Sequence, residues 1–317
     1  MITTHKIFFK NSKQMNELTN GSVDLIVTSP PYPMIEMWDE IFADQNEKIG
    51  KALEKEDGPL AFELMHQELD KVWDDIFRVL KPGGIACINI GDATRTINGH
   101  FALYTNHTRI HTGMQKLGFS ALPVIIWRKQ TNAPNKFMGS GMMPPGAYVT
   151  LEHDYVLILR KGNKKEDKTE AEKKLRRESA FFWEERNVWF SDVWMDLKGT
   201  SQNLLDKNAR NRSAAYPFEL PYRLITMFSV KTDNVLDPFF GIGTTMHAAM
   251  AAGRNSIGYE IDQNLNKHIM PKPYGIVGYS NKRIKERLEN HLEFVEKRYQ
   301  KKGKFKHTNG HYHFPVM

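Results

Sequence analysis

Cysteine is almost absent. One residue, Cys87, stands in 317, so no internal disulfide can form and a reducing compartment, the cytoplasm, is the expected setting. Long apolar runs are missing as well. No stretch approaches the roughly 18 residues that a membrane-spanning helix needs. The opening MITTHKIFFKNSK lacks the apolar core and small-residue cleavage site of a secretory signal, so no membrane partner is expected. Internal repeats are absent. Metal-ligand clusters are scarce: His107 and His111 have i, i+4 spacing, but no glutamate lies between them in the zinc-protease pattern and no third ligand is evident, so no metal is expected. Cys87 sits within an apolar run without an activating neighbour and reads as a core residue rather than a nucleophile.

What remains describes a globular enzyme. Apolar residues make up 40% and aromatic residues 11% of the chain, enough for one large or two modest domains. The formal net charge of +7 favours an anionic partner without identifying it. Short apolar runs bounded by turn residues mark strands at His5–Phe9, Val23–Val27, Ile85–Ile90, Leu122–Trp127, Tyr155–Leu159, Asn234–Leu236 and Ser256–Ile261. Helical spacing marks Glu63–Leu80, Pro217–Phe228, His247–Ala252 and Asn281–Tyr299. The last of these is expected to bury Ile284, Leu288, Leu292, Val295 and Tyr299. Alternating helices and strands predict an α/β fold with a mostly parallel twisted sheet and helices on both faces.

Two loops carry chemistry. The strand at 23–27 runs into Thr28-Ser29-Pro30-Pro31-Tyr32, and consecutive prolines must end it in a rigid loop, expected to be exposed. Proline has no N–H, so such a loop leaves carbonyl groups free to accept hydrogen bonds. The Ser29 hydroxyl oxygen and the Pro30 carbonyl can receive the two protons of an exocyclic amine, and Tyr32 offers a face on which a flipped base can stack. The second loop, Asp237-Pro238-Phe239-Phe240-Gly241-Ile242-Gly243-Thr244-Thr245, joins a strand to a helix. Its glycines admit a ligand close to the backbone, and Glu260, about 20 residues on, stands where Rossmann-type sites hold ribose hydroxyls. The third glycine of a dinucleotide fingerprint is missing, which disfavours a nicotinamide cofactor and hence an oxidoreductase.

Together these loops resemble the S-adenosylmethionine-dependent amino-methyltransferases of DNA, through T-S-P-P-Y and D-P-F-x-G-x-G-T-T. Arg78–Gly84 with Asn89–Asp92, His153–Leu157 and Tyr216–Leu220 match the same family in order. With the catalytic loop first, the chain looks like the circularly permuted beta class of restriction-modification enzymes. The resemblance implies a Rossmann-like methyltransferase fold. Residues 1–159 would form its catalytic half and 196–317 its cofactor half, the latter with a basic C-terminal helix and tail; 160–195 would be a target-recognition insertion.

The resemblance also implies roles. Ser29, Pro30, Pro31 and Tyr32 would be catalytic; Asp237, Pro238, Phe239, Gly241, Gly243, Thr244 and Glu260 would bind S-adenosylmethionine. The Gly-Asp that often ends the family's first strand is replaced here by Lys10-Asn11-Ser12. Serine before the prolines is usual for cytosine N4, whereas aspartate or asparagine there is usual for adenine N6. Cytosine in duplex DNA is therefore the expected target, adenine the alternative, and a non-catalytic DNA-binding module a more distant one.

Asp92 could line the base pocket or cap the next element. Arg128, Lys129 and Lys136, in a polar and glycine-rich stretch, are available for phosphates. Residues 282–307 carry 10 Lys/Arg against 4 Asp/Glu, which offers Lys301, Lys302 and Lys304 as further phosphate contacts. The insertion is more balanced, with 10 Lys/Arg against 7 Asp/Glu over 160–186. A cognate restriction endonuclease and a homodimer are expected partners.

Overall fold

The computed structural model describes residues 2–129, 143–146, 148–166, 169–199, 216–269, 273–310 and 315–316. Lys136 lies outside them. The elements run β1 (His5–Phe8), β2 (Val23–Thr28), α1 (Asp39–Gln45), α2 (Glu47–Glu54), α3 (Gly58–Val79), β3 (Leu80–Ile90), the hairpin β4 (Ala93–Ile97) and β5 (His100–Tyr104), and α4 (Asn106–Lys116). There follow β6 (Phe119–Arg128), β7 (His153–Lys161), α5 (Glu170–Glu178), α6 (Trp183–Trp189), β8 (Val193–Trp194) and α7 (Glu219–Phe228). The chain continues through β9 (Asn234–Asp237), α8 (Thr244–Ala252), β10 (Asn255–Tyr259), α9 (Asn266–Ile269) and α10 (Pro273–Lys302).

Eight strands form one sheet in the order β1-β10-β9-β2-β3-β7-β6-β8. All neighbours pair in parallel except β3 with β7 and β7 with β6. The apolar runs alternate between two cores, as a pleated strand buried on both faces must. Ile26, Ala86, Ile88, Leu157 and Leu159 face a core shared with α3, around Trp73. Leu25, Val27, Cys87, Val156 and Ile158 face the other, built with α7 and α8. Cys87 is fully buried and its burial pushes the thiol well above the usual range, in keeping with a core role.

β2 and β9 are adjacent, with Leu25 opposite Val235 and Ile26 opposite Leu236, although some 210 positions separate them. From this pair the chain steps to β3 on one side and to β10 on the other. That makes a topological switch point, and ligands of open α/β sheets bind beyond the carboxyl ends of the strands there.

One expectation fails in α10. Ile284 (43% exposed), Leu288 (37%), Leu292 (52%) and Tyr299 (52%) lie in solvent, and of the five residues only Val295, at 8%, is buried. The helix docks through a different stripe. Arg283 pairs with Glu219, and Arg287 with Glu185 and the Tyr222 hydroxyl. His291 stacks on Phe182 and meets Glu184. Charge pairing and stacking with α6 and α7, rather than apolar burial, set the rotation of this helix.

Candidate active site

Both loops leave the carboxyl ends of β2 and β9 and open into a single cavity of about 730 Å³. Ser29, Pro30, Pro31, Tyr32, Asp92 and Lys129 line it on one side, and Asp237, Pro238, Phe239, Gly241, Thr244 and Glu260 on the other. Gly243 is not in the wall. With φ at +81° it makes the left-handed turn into α8, donating its N–H to the Phe240 carbonyl at 3.0 Å. Arg128 is not in the wall either; it pairs with Glu152. Lys301, Lys302 and Lys304 lie far along the chain, exposed at the end of α10 and just beyond it.

The proline loop is not the exposed loop expected of it. Pro30, Pro33 and Met34 are buried, and Ser29, Pro31 and Tyr32 are half-buried. Asn106, fully buried at the start of α4, donates from Nδ2 to the carbonyls of Pro33 at 3.1 Å and Gly91 at 3.0 Å. His66 bonds the Asn106 side-chain oxygen at 3.0 Å, and burial lowers the imidazole to about 4, so it is neutral. The loop is thus tied to the end of β3 from behind, with its front free for a ligand.

Ser29 Oγ donates its proton to the Asn89 carbonyl at 3.0 Å and accepts from Asn89 Nδ2 at 3.4 Å, which leaves one lone pair to accept from a ligand. The Tyr32 hydroxyl donates to Asp154 at 2.8 Å and accepts from Asn89 Nδ2 at 2.8 Å. Burial and the neighbouring Asp154 carboxylate raise the phenol well above its ordinary range, so it stays protonated. Asp92 lines the cavity and also serves α4, accepting from the His107 N–H at 3.1 Å and bonding its ring at 2.8 Å. His107 in turn stacks on Tyr155. Among the described residues no cluster of His, Cys, Asp or Glu is arranged to hold a metal ion.

On the opposite wall Asp237 binds the two loops together. Its carboxylate accepts from Thr28 Oγ1 at 2.6 Å, Thr245 Oγ1 at 2.6 Å, the Tyr216 hydroxyl at 3.3 Å and the Phe239 N–H at 3.1 Å. Burial raises its pKa, and the hydroxyl donors oppose that rise. Phe239 packs edge-on against Trp73 with ring centroids 5.8 Å apart. Glu260 accepts from the backbone N–H groups of Gly241 at 2.7 Å and Asp262 at 2.8 Å, while burial pushes its carboxyl up to about 7. Such a carboxylate, in the cavity wall and short of donors, suits vicinal hydroxyl groups.

Sequence reasoning gave no role to Asp154, Asn89 or Tyr216. The first two lie in segments quoted only as family matches, and Tyr216 opens a third. It also placed Lys129 with the phosphate contacts, whereas the structure turns it into the cavity and pairs it with Asp154.

An eight-stranded sheet with a cleft at the β9/β2 switch point, a strand–glycine turn–helix and a buried acidic residue after the next strand defines a Rossmann-like methyltransferase. Within that class the chain belongs to the N6/N4 DNA methylase family, whose model matches residues 23–271. The Type II methyltransferase M.MthZI of Methanothermobacter thermautotrophicus is 56% identical over 317 residues, all of this chain and 88% of the relative. The Type II methyltransferase M.MjaI of Methanocaldococcus jannaschii is 48% identical over 93% of this chain and 97% of the relative. Among solved structures, a putative DNA modification methylase of Thermus thermophilus, TTHA0409, complexed with S-adenosyl-L-methionine, superposes with a TM-score of 0.66 at 29% identity, covering 85% of this chain and 93% of that one. The cytosine-N4-specific PvuII DNA methyltransferase shares the fold, with a TM-score of 0.54 at 17% identity over 83% of each chain.

Proposed function

We propose that this protein methylates the N4 amino group of cytosine in duplex DNA, using S-adenosylmethionine, after the base has been flipped into the cavity. The observation that carries this reading is the meeting of the Ser29–Tyr32 loop and the Asp237–Thr244 loop in one cavity, from opposite ends of the sequence.

The walls fit the cofactor. Glu260 holds the ribose hydroxyls, and Phe239, Gly241 and Thr244 hold its methionine part. S-adenosylmethionine bound there supplies an electrophilic methyl carbon. The protein's own work is to present the amine. Ser29 Oγ and the Pro30 carbonyl accept the two amino protons, which draws the nitrogen lone pair out of conjugation with the ring. Tyr32, its hydroxyl fixed by Asp154 and Asn89, supplies the stacking face. The reaction is a direct displacement at carbon, and no covalent bond forms to the enzyme.

In this reading the target-recognition segment is 160–195, and Lys301, Lys302 and Lys304 touch phosphates. The circularly permuted beta class and a partner endonuclease belong to the same proposal. The choice of cytosine rests on Ser29. Incubation with labelled S-adenosylmethionine and mixed-sequence duplex DNA, followed by mass spectrometry of the nucleosides, is expected to yield N4-methyldeoxycytidine. N6-methyldeoxyadenosine instead would move the target to adenine and keep the reaction. Folded protein that labels no DNA nucleoside would remove it.

A further inference from the structure

Trp127 and Lys129 stand two residues apart on one face of the extended chain at the end of β6, so both turn toward the cavity. The Lys129 N–H donates to the Glu152 carbonyl at 2.7 Å, which fixes its backbone against β7. Its ammonium pairs with the Asp154 carboxylate, whose side chain is only 7% exposed. It also lies over the Trp127 ring, 5.0 Å from the centroid, and over the Tyr32 ring at 5.8 Å. Asp154 Oδ2 serves the Tyr32 hydroxyl at 2.8 Å and Asn89 Nδ2 at 3.2 Å as well. The cluster is closely fitted. A Cβ at Gly91 would stand 2.6 Å from Asp154 Oδ1 and 2.9 Å from Tyr32 Cε2.

A lysine that serves phosphates works from a hydrated surface, as a mobile point charge. This one, with 34% of its side chain exposed, reaches inward to two aromatic faces and a nearly buried carboxylate. An ammonium has three donors and the ion pair needs one. Cytosine and adenine share an acceptor to receive another: a ring nitrogen without hydrogen (N3 or N1) next to the carbon that bears the amine. Thymine presents an N–H at the corresponding position, and a donor facing a donor is repulsive.

We propose that Lys129 is a specificity-determining residue that donates to this ring nitrogen of the flipped base. Asp154 positions the ammonium and cancels its charge, so that a cation can stand beside a sulfonium and an amine that gains positive charge as it reacts. The inference rests on the function proposed above and holds for either base.

The test combines Lys129→Met with duplexes in which CH replaces that ring nitrogen of the target, 3-deazacytosine or 1-deazaadenine according to the base methylated. Single-turnover methyl transfer and the salt dependence of DNA affinity are measured for each pair. Wild type is expected to lose about tenfold in rate on the deaza duplex, the scale of one charge-assisted hydrogen bond. Lys129→Met should lose a similar factor on the ordinary duplex and nothing further on the deaza duplex, with its salt slope unchanged. Losses that multiply would overturn the proposal. So would an unchanged rate at saturating DNA with a salt slope reduced by about one, the signature of a phosphate contact. Wild type alone decides the case if the variant does not fold: an undiminished rate on the deaza duplex refutes the contact, and a loss of about tenfold supports it. Failure of wild type to methylate ordinary DNA is a separate result that removes the function itself, and this inference with it.

Discussion

Glu260 holds its proton unusually tightly because it is buried in the wall of the cavity, with two backbone N–H groups as its donors. The shift from 4.5 to about 7 means that the folded state favours the protonated acid. Its contribution to the stability of the free protein is therefore complete below pH 4.5 and is lost as pH rises to about 7, on the order of 3 kcal/mol. In the proposed function Glu260 receives the ribose hydroxyls as the ionised carboxylate, so binding releases a proton. Affinity for S-adenosylmethionine should rise between about pH 6 and 8, and Glu260→Gln should flatten that rise and weaken binding about tenfold. Titration calorimetry at several pH values measures both effects, and a pH-independent wild type would contradict them. Ser29→Ala should act differently. With cofactor binding intact, it removes one acceptor for the amine, and single-turnover transfer should fall by about 10²-fold.

At the scale of elements, Asp237 at the end of β9 and Thr28 at the end of β2 lock the two loops together through one 2.6 Å hydrogen bond. Asp237→Asn exchanges an acceptor for a donor in front of two hydroxyls and should cost about 1–3 kcal/mol in urea denaturation. Cofactor affinity and the methyl-transfer rate should fall together, because both loops hang from this residue. The docking of α10 gives a second prediction. Arg287→Met leaves Glu185, 11% exposed, without its guanidinium, and should destabilise by about 3–5 kcal/mol. A destabilisation below about 1 kcal/mol would contradict that account of the docking.

Elements also show what the sequence could reveal. β2, β3 and β9 were legible because apolar runs stop at turn residues, and both site loops were legible because proline and glycine leave the backbone few options. The periodicity of α10 was legible too, but it reveals only that apolar residues share a stripe, not what covers the stripe. The docking face is built from Arg283, Arg287 and His291, whose partners lie some 60 to 110 residues away in sequence. The hairpin β4–β5 and the helices α1 and α2 were missed because they are short and carry no long apolar pattern. The placement of Lys129 was not legible for a related reason. Charge suggests phosphate, and only the extension of strand pairing to Glu152 shows which way the side chain turns.

For the molecule as a whole, the basic bias of residues 282–307 is partly consumed internally, since Arg283 and Arg287 are paired with Glu219 and Glu185. The charges that the proposal offers to DNA, Lys301, Lys302 and Lys304, are exposed at the end of α10 and beyond it. Reversing Lys301, Lys302 and Lys304 to glutamate should lower DNA affinity and reduce the salt slope by about one per lost phosphate contact, with S-adenosylmethionine affinity unchanged. An unaltered slope would place the phosphate contacts elsewhere.

The adjacency of β2 and β9 also sets a timetable for the nascent chain. β1 and β2 leave the ribosome before their partners β10 and β9, which are encoded more than 200 residues later. At roughly 5–20 residues per second, the edge of β2 waits on the order of 10 to 40 s for its neighbour. During that interval the strand offers Leu25, Ile26 and Val27 to any passing chain. The chain at that stage should be a client for holding chaperones, and methylating capacity should appear only after β9 and β10 have been translated.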